Sequence, residues 1–149
     1  MNAICNHLFE RLSVQTPDEV AKLSSQESVA GVTEILLSRA GESLKLVASM
    51  LAHLSSEQDG RWFTWVNPPS IGKQALKKSG FELSGFRSLK FSTSQSQKRQ
   101  TFEFLLEALR LGNSRTIVTS LDGITQRQIQ LLEQAASIGN TRCVVLRPR

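Results

Sequence analysis

The stretch Arg61-Trp62-Phe63-Thr64-Trp65-Val66-Asn67-Pro68-Pro69 holds both tryptophans of the 149-residue chain and closes on a double proline. Along a strand the side chains alternate, so Trp62 and Thr64 point one way and Phe63 and Trp65 the other. Such a strand is apolar on at least one face. An aromatic strand that ends in Pro-Pro is either the middle of a core or the root of a protein-binding surface.

Reading outward from it decides the fold. Asp59-Gly60 turns the chain into the strand, and Ser70 to Ser79 follows as a helix with Ile71, Ala75 and Leu76 apolar and Gly80 past its end. Upstream, Val29 to Leu37 is rich in β-branched and aliphatic residues and ends at the turn Ser38-Arg39-Ala40-Gly41. Glu42 to Ser56 spaces Leu44, Val47, Met50, Leu51 and Leu54 for one helix face. Downstream, Phe86 to Phe91 alternates weakly as a strand. Thr93 to Arg99 is a polar loop opening a helix from Gln97 to Leu111, which buries Phe102, Leu105, Leu106 and Leu109 and stops at Gly112-Asn113. Thr116 to Leu121 is a short apolar strand. Asp122-Gly123 then turns into a helix from Ile124 to Ile138, and Cys143 to Leu146 is a final strand.

Strand and helix alternating to the end predict an α/β fold, a mostly parallel central sheet with helices on both faces. On this expectation Trp62 and Trp65 are mostly core and flank the middle of the sheet. Ligands or partners meet such a sheet where strand ends feed into helices. Residues 1–28 are polar with little periodicity and read as a weakly docked N-terminal arm, leaving 29–149 as a single α/β domain.

Composition excludes several classes. No apolar run approaches the roughly 20 residues that span a membrane, and the N-terminus lacks the basic start and apolar region of a secretory signal. Cys5 and Cys143 stand far apart, without metal-like neighbours, and read as reduced cytoplasmic thiols. The net charge of +5 permits an acidic partner or a nucleic acid and demands neither.

The first strand-turn-helix is where a nucleotide-binding protein would place its phosphate loop. Here it reads Ser38-Arg39-Ala40-Gly41-Glu42-Ser43-Leu44-Lys45, with one glycine, a glutamate that repels phosphate and a misplaced lysine. Asp122 ends an apolar strand, as a magnesium-holding carboxylate would, but Asp-Gly is better explained as a turn. His7 and His53 are isolated, and no nucleophile elbow or metal spacing occurs. The sequence therefore points away from an enzyme, and no cofactor or metal is expected. What remains is surface chemistry: Lys73, Lys77 and Lys78 on one helix, with Arg87 and Lys90 soon after, form a basic rim beside an apolar patch.

Several segments, in this order, resemble the SulA family of bacterial SOS-induced cell-division inhibitors. They are Ala30-Gly31, Arg61-Trp62-Phe63-Thr64-Trp65 with Pro68, Leu76 with Ser79-Gly80, Ala108-Leu109-Arg110-Leu111-Gly112-Asn113-Ser114, Ala135-Ala136 with Gly139-Asn140, and Arg147-Pro148. The resemblance implies a fold related to the recombinase RecA but without an ATP site. It implies binding to the tubulin-like GTPase FtsZ, which blocks polymerisation, GTP hydrolysis in the filament and septum formation. It allows a homodimer, and it makes the Lon protease a second expected partner through a tail that family members carry beyond Arg-Pro. This sequence ends at Arg149. No membrane and no nucleic acid is expected on this reading.

Family positions linked to inhibition fall on Arg61 and Val66, on Leu76 beside Ala75, which stands at a family tryptophan position, and near Arg87, since Gly85 occupies a family basic position. The expected partner-binding set is Arg61, Val66, Pro68, Lys73, Leu76, Lys77, Phe86 and Arg87. The competing reading is a RecA-like repair accessory that touches DNA or a repair polymerase through the basic rim, with steep salt dependence.

Overall fold

The computed structural model describes residues 28–37, 42–92 and 94–148. The expected N-terminal arm, apart from Ser28, and the turn Ser38-Arg39-Ala40-Gly41 lie outside the described residues, as do Cys5 and His7.

Five strands and four helices alternate along the described chain: β1 (Gly31–Leu37), α1 (Glu42–Ser56), β2 (Trp62–Val66), α2 (Lys73–Lys78), β3 (Phe86–Leu89), α3 (Gln95–Leu111), β4 (Ser114–Ser120), α4 (Gln126–Gly139) and β5 (Arg142–Pro148). The strands form one sheet in the order β1-β5-β4-β2-β3, and every pairing is parallel. Parallel neighbours cannot be joined by a tight turn, so each connection becomes a crossover, and here each crossover carries a helix.

The helices divide between the two faces. On one face Val47, Leu51 and Ala52 of α1 and Leu76 of α2 meet Phe63, Trp65, Val118, Val144 and Leu146. On the other, Leu105 and Leu109 of α3 and Ile129, Leu132, Ala135 and Ala136 of α4 meet Val66, Ile117, Cys143 and Val145. A sheet covered on both faces needs strands apolar on both faces, which explains the unbroken Cys143-Val144-Val145-Leu146 run.

Element ends differ from expectation for local reasons. Gly72, extended at φ −70° and ψ 154°, caps α2, so the helix keeps only its six residues from Lys73 to Lys78. The helix expected from Ile124 begins at Gln126. There Thr125 accepts from the Gln128 backbone N–H while the Gln128 side chain accepts from the Thr125 backbone N–H, a reciprocal cap that fixes the first turn. Met50, expected on the buried face of α1, is exposed, while the neighbouring Leu51 is fully buried.

The tryptophan strand needs a correction in its burial, not its place. As expected, β2 flanks the middle strand, β4, and it lies between that strand and the edge strand β3. Trp65 is 1% exposed and stacks on Phe81, but Trp62 is 44% exposed. Trp62 opens the strand beside a register shift against β4, on the face opposite Trp65. Trp65 is core; Trp62 is surface.

Among the described residues no helix is long and apolar enough to cross a membrane.

Candidate functional site

The part of the sheet nearest β3 is built differently on its two faces. On the α1–α2 side it is closed by aromatic rings. Phe63 stacks on Phe86 with centroids 5.6 Å apart, and Phe81 meets both edge-on. On the opposite side α3 lies against β4, and α4 lies against β1 and β5. There α3 reaches Val66 at the end of β2, while nearer the strand beginnings an arginine covers Thr64.

That arginine is Arg87. Its register partner across the β2–β3 ladder is Thr64, so both side chains stand on the same face. Arg87 Nε donates to Thr64 Oγ1 at 2.8 Å and Nη2 reaches Ser114 Oγ at 3.4 Å, while the two hydroxyls share a 2.7 Å hydrogen bond. The guanidinium carbon then stands 5.4 Å from the centre of the Trp62 ring. A cation over an indole face at this range contributes about 0.5–1 kcal/mol at an exposed site. The hydroxyl bonds fix the guanidinium, and the guanidinium fixes the ring. A half-exposed tryptophan held in one orientation is the kind of anchor that dominates protein interfaces.

The expected contact residues are dispersed by this geometry. Lys73 and Lys77 are exposed on α2, and Pro68 is partly buried beyond the end of β2. Leu76 is 7% exposed and Val66 is fully buried, so in the free chain both lie beneath the surface on which a partner was expected. Phe86 is partly buried in the aromatic cluster, on the face opposite Arg87. Arg61 stands at the other end of β2 from Val66, about 17 Å along a strand.

Arg61 is also turned inward. Its Nη1 donates to the carbonyls of Gly112 at 3.3 Å, Gly139 at 3.3 Å and Asn140 at 2.9 Å. Nε and Nη2 donate to Asp59 Oδ2 at 3.0 and 2.9 Å. From Asp59 the charges continue across the strand beginnings. Arg115 bridges Asp59 at 2.9 Å and Glu57 at 3.2 Å, and Arg142 reaches Glu57 at 3.1 Å. Burial pushes the Glu57 and Asp59 carboxyls upward, but hydrogen bonds and charge from these arginines outweigh it and hold both below the ordinary carboxylate range.

Trp62 is the candidate site residue that sequence reasoning did not include. Its signal was present but faint: it shares a face with Thr64, a polar residue, whereas Phe63 and Trp65 share the wholly aromatic one.

Elsewhere the chemistry is quiet. No group of three or more His, Cys, Asp or Glu able to hold a metal occurs among the described residues. Burial pushes the Cys143 thiol up to about 12, which suppresses its thiolate. At the strand C-termini, where partners were expected, a cleft of about 710 Å³ is lined by Asn67, Lys98, Phe102, Ser120 and Asp122 among others.

A parallel α/β domain presenting a braced aromatic–cation pair on an open part of its sheet has the surface of an interaction domain. No family model matches the chain. It is, however, 32% identical over 126 residues to the cell division inhibitor SulA of Pseudomonas aeruginosa, an alignment spanning 83% of this chain and 76% of that protein. The cell division inhibitor SulA of Salmonella paratyphi B is 25% identical over 138 residues, covering 89% of this chain and 78% of the relative. The crystal structure of SulA from Pseudomonas aeruginosa superposes with a TM-score of 0.70 at 30% identity, covering 79% of this chain and 98% of that one. The chain belongs to the SulA family of cell division inhibitors.

Proposed function

We propose that this chain is an SOS-response inhibitor of cell division that binds FtsZ in the cytoplasm and blocks its polymerisation. It acts by occupying surface. FtsZ hydrolyses GTP at a site completed by the next protomer, so a bound inhibitor that prevents stacking lowers hydrolysis with no reaction of its own. Membership of the SulA family supports the division-inhibitor role. The observation that carries the surface is the Trp62–Arg87 pair, an indole 44% exposed yet held by a guanidinium that is itself fixed by Thr64 and Ser114. An ordered anchor loses little side-chain freedom on binding, which favours affinity. Lys73, Lys77, Lys78 and Lys90 are exposed on α2, which packs on the other face of the sheet, and after β3, and they add positive charge suited to an acidic partner surface. Sedimentation of FtsZ with GTP tests the reading: this protein at twofold excess over FtsZ lowers the pelleted polymer, and undiminished polymer rejects it.

A further inference from the structure

Arg61 was expected to touch the partner, yet every nitrogen of its guanidinium is taken up within the chain. The acceptors explain why. α3 ends at Leu111 with Gly112 in the left-handed conformation at φ 68°, and α4 ends at Gly139 with Asn140 at φ 49°. The last carbonyls of a helix lack intrahelical partners and carry the negative end of its dipole. At this corner two such ends converge. Gly112, Gly139 and Asn140 aim their carbonyls at one arginine nitrogen, so a single cation caps α3 and α4 together.

The cap is tied to the exposed tryptophan. Asp59 holds the other two guanidinium nitrogens, and its Oδ1 accepts the Arg61 backbone N–H at 3.1 Å. The next residue is Trp62, whose backbone N–H donates to Asn113 O at 3.0 Å, one residue past the α3 cap. The chain at residues 61 and 62 is therefore pinned to the ends of both helices just where β2 slips register against β4. Arg61 has only 21% of its side chain exposed, against 44% exposure for Trp62.

We infer that Arg61 is a positioning residue: it sets the place of Trp62 by capping α3 and α4 together and does not itself contact the partner. The partner-binding arm of the test rests on the proposed reading; the tryptophan arm does not. Four proteins are compared, all in a Trp65→Phe background that leaves Trp62 as the remaining indole and serves as wild type here: the background itself, Arg61→Gln, Arg61→Lys and Asp59→Asn.

Acrylamide quenching of Trp62 and FtsZ binding are measured well below each melting midpoint. In Arg61→Gln, quenching changes and FtsZ affinity falls together, by about tenfold, the scale set by loss of one interface anchor. Arg61→Lys recovers part of both. Asp59→Asn moves both in the direction of Arg61→Gln, although it loosens the guanidinium at Nε and Nη2 and leaves Nη1 its carbonyls. If Arg61 touched the partner directly, loosening it would leave affinity equal or higher. Two results overturn the inference: Arg61→Gln that loses FtsZ affinity with Trp62 quenching unchanged, or Asp59→Asn that leaves both readouts at the wild-type value. Should Arg61→Gln fail to fold, Arg61→Lys and Asp59→Asn decide by the same criteria. If the wild type does not bind FtsZ, the proposed function fails while Trp62 quenching still judges the positioning role.

Discussion

The guanidinium of Arg87 lies across the face of Trp62 at 5.4 Å, and two buried hydroxyls hold it there. Neither side chain supports the core, so their loss separates binding from folding. Trp62→Ala and Arg87→Ala each lower FtsZ inhibition by about tenfold or more, the range for truncating an interface anchor. Their melting midpoints fall by only a few degrees, because Trp62 is half-exposed and Thr64 and Ser114 keep their mutual hydrogen bond. Pelleting of FtsZ polymer and thermal melts followed by circular dichroism check both halves. A variant that melts normally and inhibits fully removes the pair from the interface.

The lysines of α2 act at longer range. Lys73 and Lys77 are exposed on a helix whose sequence, Lys73-Gln74-Ala75-Leu76-Lys77-Lys78, contains no acid. Exposed charges at an interface rim chiefly speed encounter and are screened by salt. The double substitution Lys73→Glu with Lys77→Glu slows association with FtsZ by about tenfold at low ionic strength and leaves dissociation nearly unchanged. The gap between variant and wild type narrows as salt rises. Surface-resonance kinetics across a salt series measure this, and a change confined to dissociation would contradict it.

How much of this was legible in the sequence follows from which interactions are local. The α/β alternation was legible because each helix and strand announces itself over neighbouring residues, as the Glu42–Ser56 helix did to both of its ends. Strand order was not. Nothing between Arg61 and Pro69 says that β3 is an edge or that β4 takes the centre, and that order leaves Trp62 outside while Trp65 is buried. Arg61 was picked out as important, but the internal bonds that hold it were not foreseen. Its carbonyl acceptors sit at residues 112, 139 and 140, far along the chain, and backbone acceptors leave no trace in side-chain identity. The burial of Val66 and Leu76 was hidden for a similar reason: an aliphatic position reads alike whether it faces a core or a partner.

The junction that Arg61 caps also depends on a residue with no side chain. A Cβ placed on Gly139 would collide with the Leu109 carbonyl oxygen and stand 3.0 Å from Arg110 O. These are backbone atoms of α3, which cannot swing aside as a flexible side chain would. Gly139→Ala therefore costs about 3 kcal/mol through overpacking, above the ordinary range for a surface change. Gly123→Ala is the control. Gly123 has φ 67° but open space around it, so its substitution costs only about 1 kcal/mol of backbone strain. Urea midpoints of the two variants test the contrast, and equal losses would show that steric contact is not what selects glycine at residue 139.

The charge ladder behind Arg61 contributes stability that is lost in acid. Glu57 and Asp59 are held below their ordinary values of 4.5 and 3.8, despite burial, by hydrogen bonds and charge from Arg142, Arg115 and Arg61. A carboxyl with a lower pKa in the folded chain than in the unfolded chain binds fewer protons when folded. Its stabilisation is complete above the unfolded value and drains away as pH falls through the folded one. The melting midpoint should thus be nearly flat from about pH 7 to about pH 5 on account of these groups and decline below that. Glu57→Gln lowers the midpoint at neutral pH, because Arg115 and Arg142 lose a charged acceptor, and it flattens the decline in acid. Melts of the wild type and Glu57→Gln over this range measure the difference. A variant whose acid decline matched the wild type would mean that Glu57 remains as easily protonated in the fold as in the open chain, and that the ladder contributes nothing to stability there.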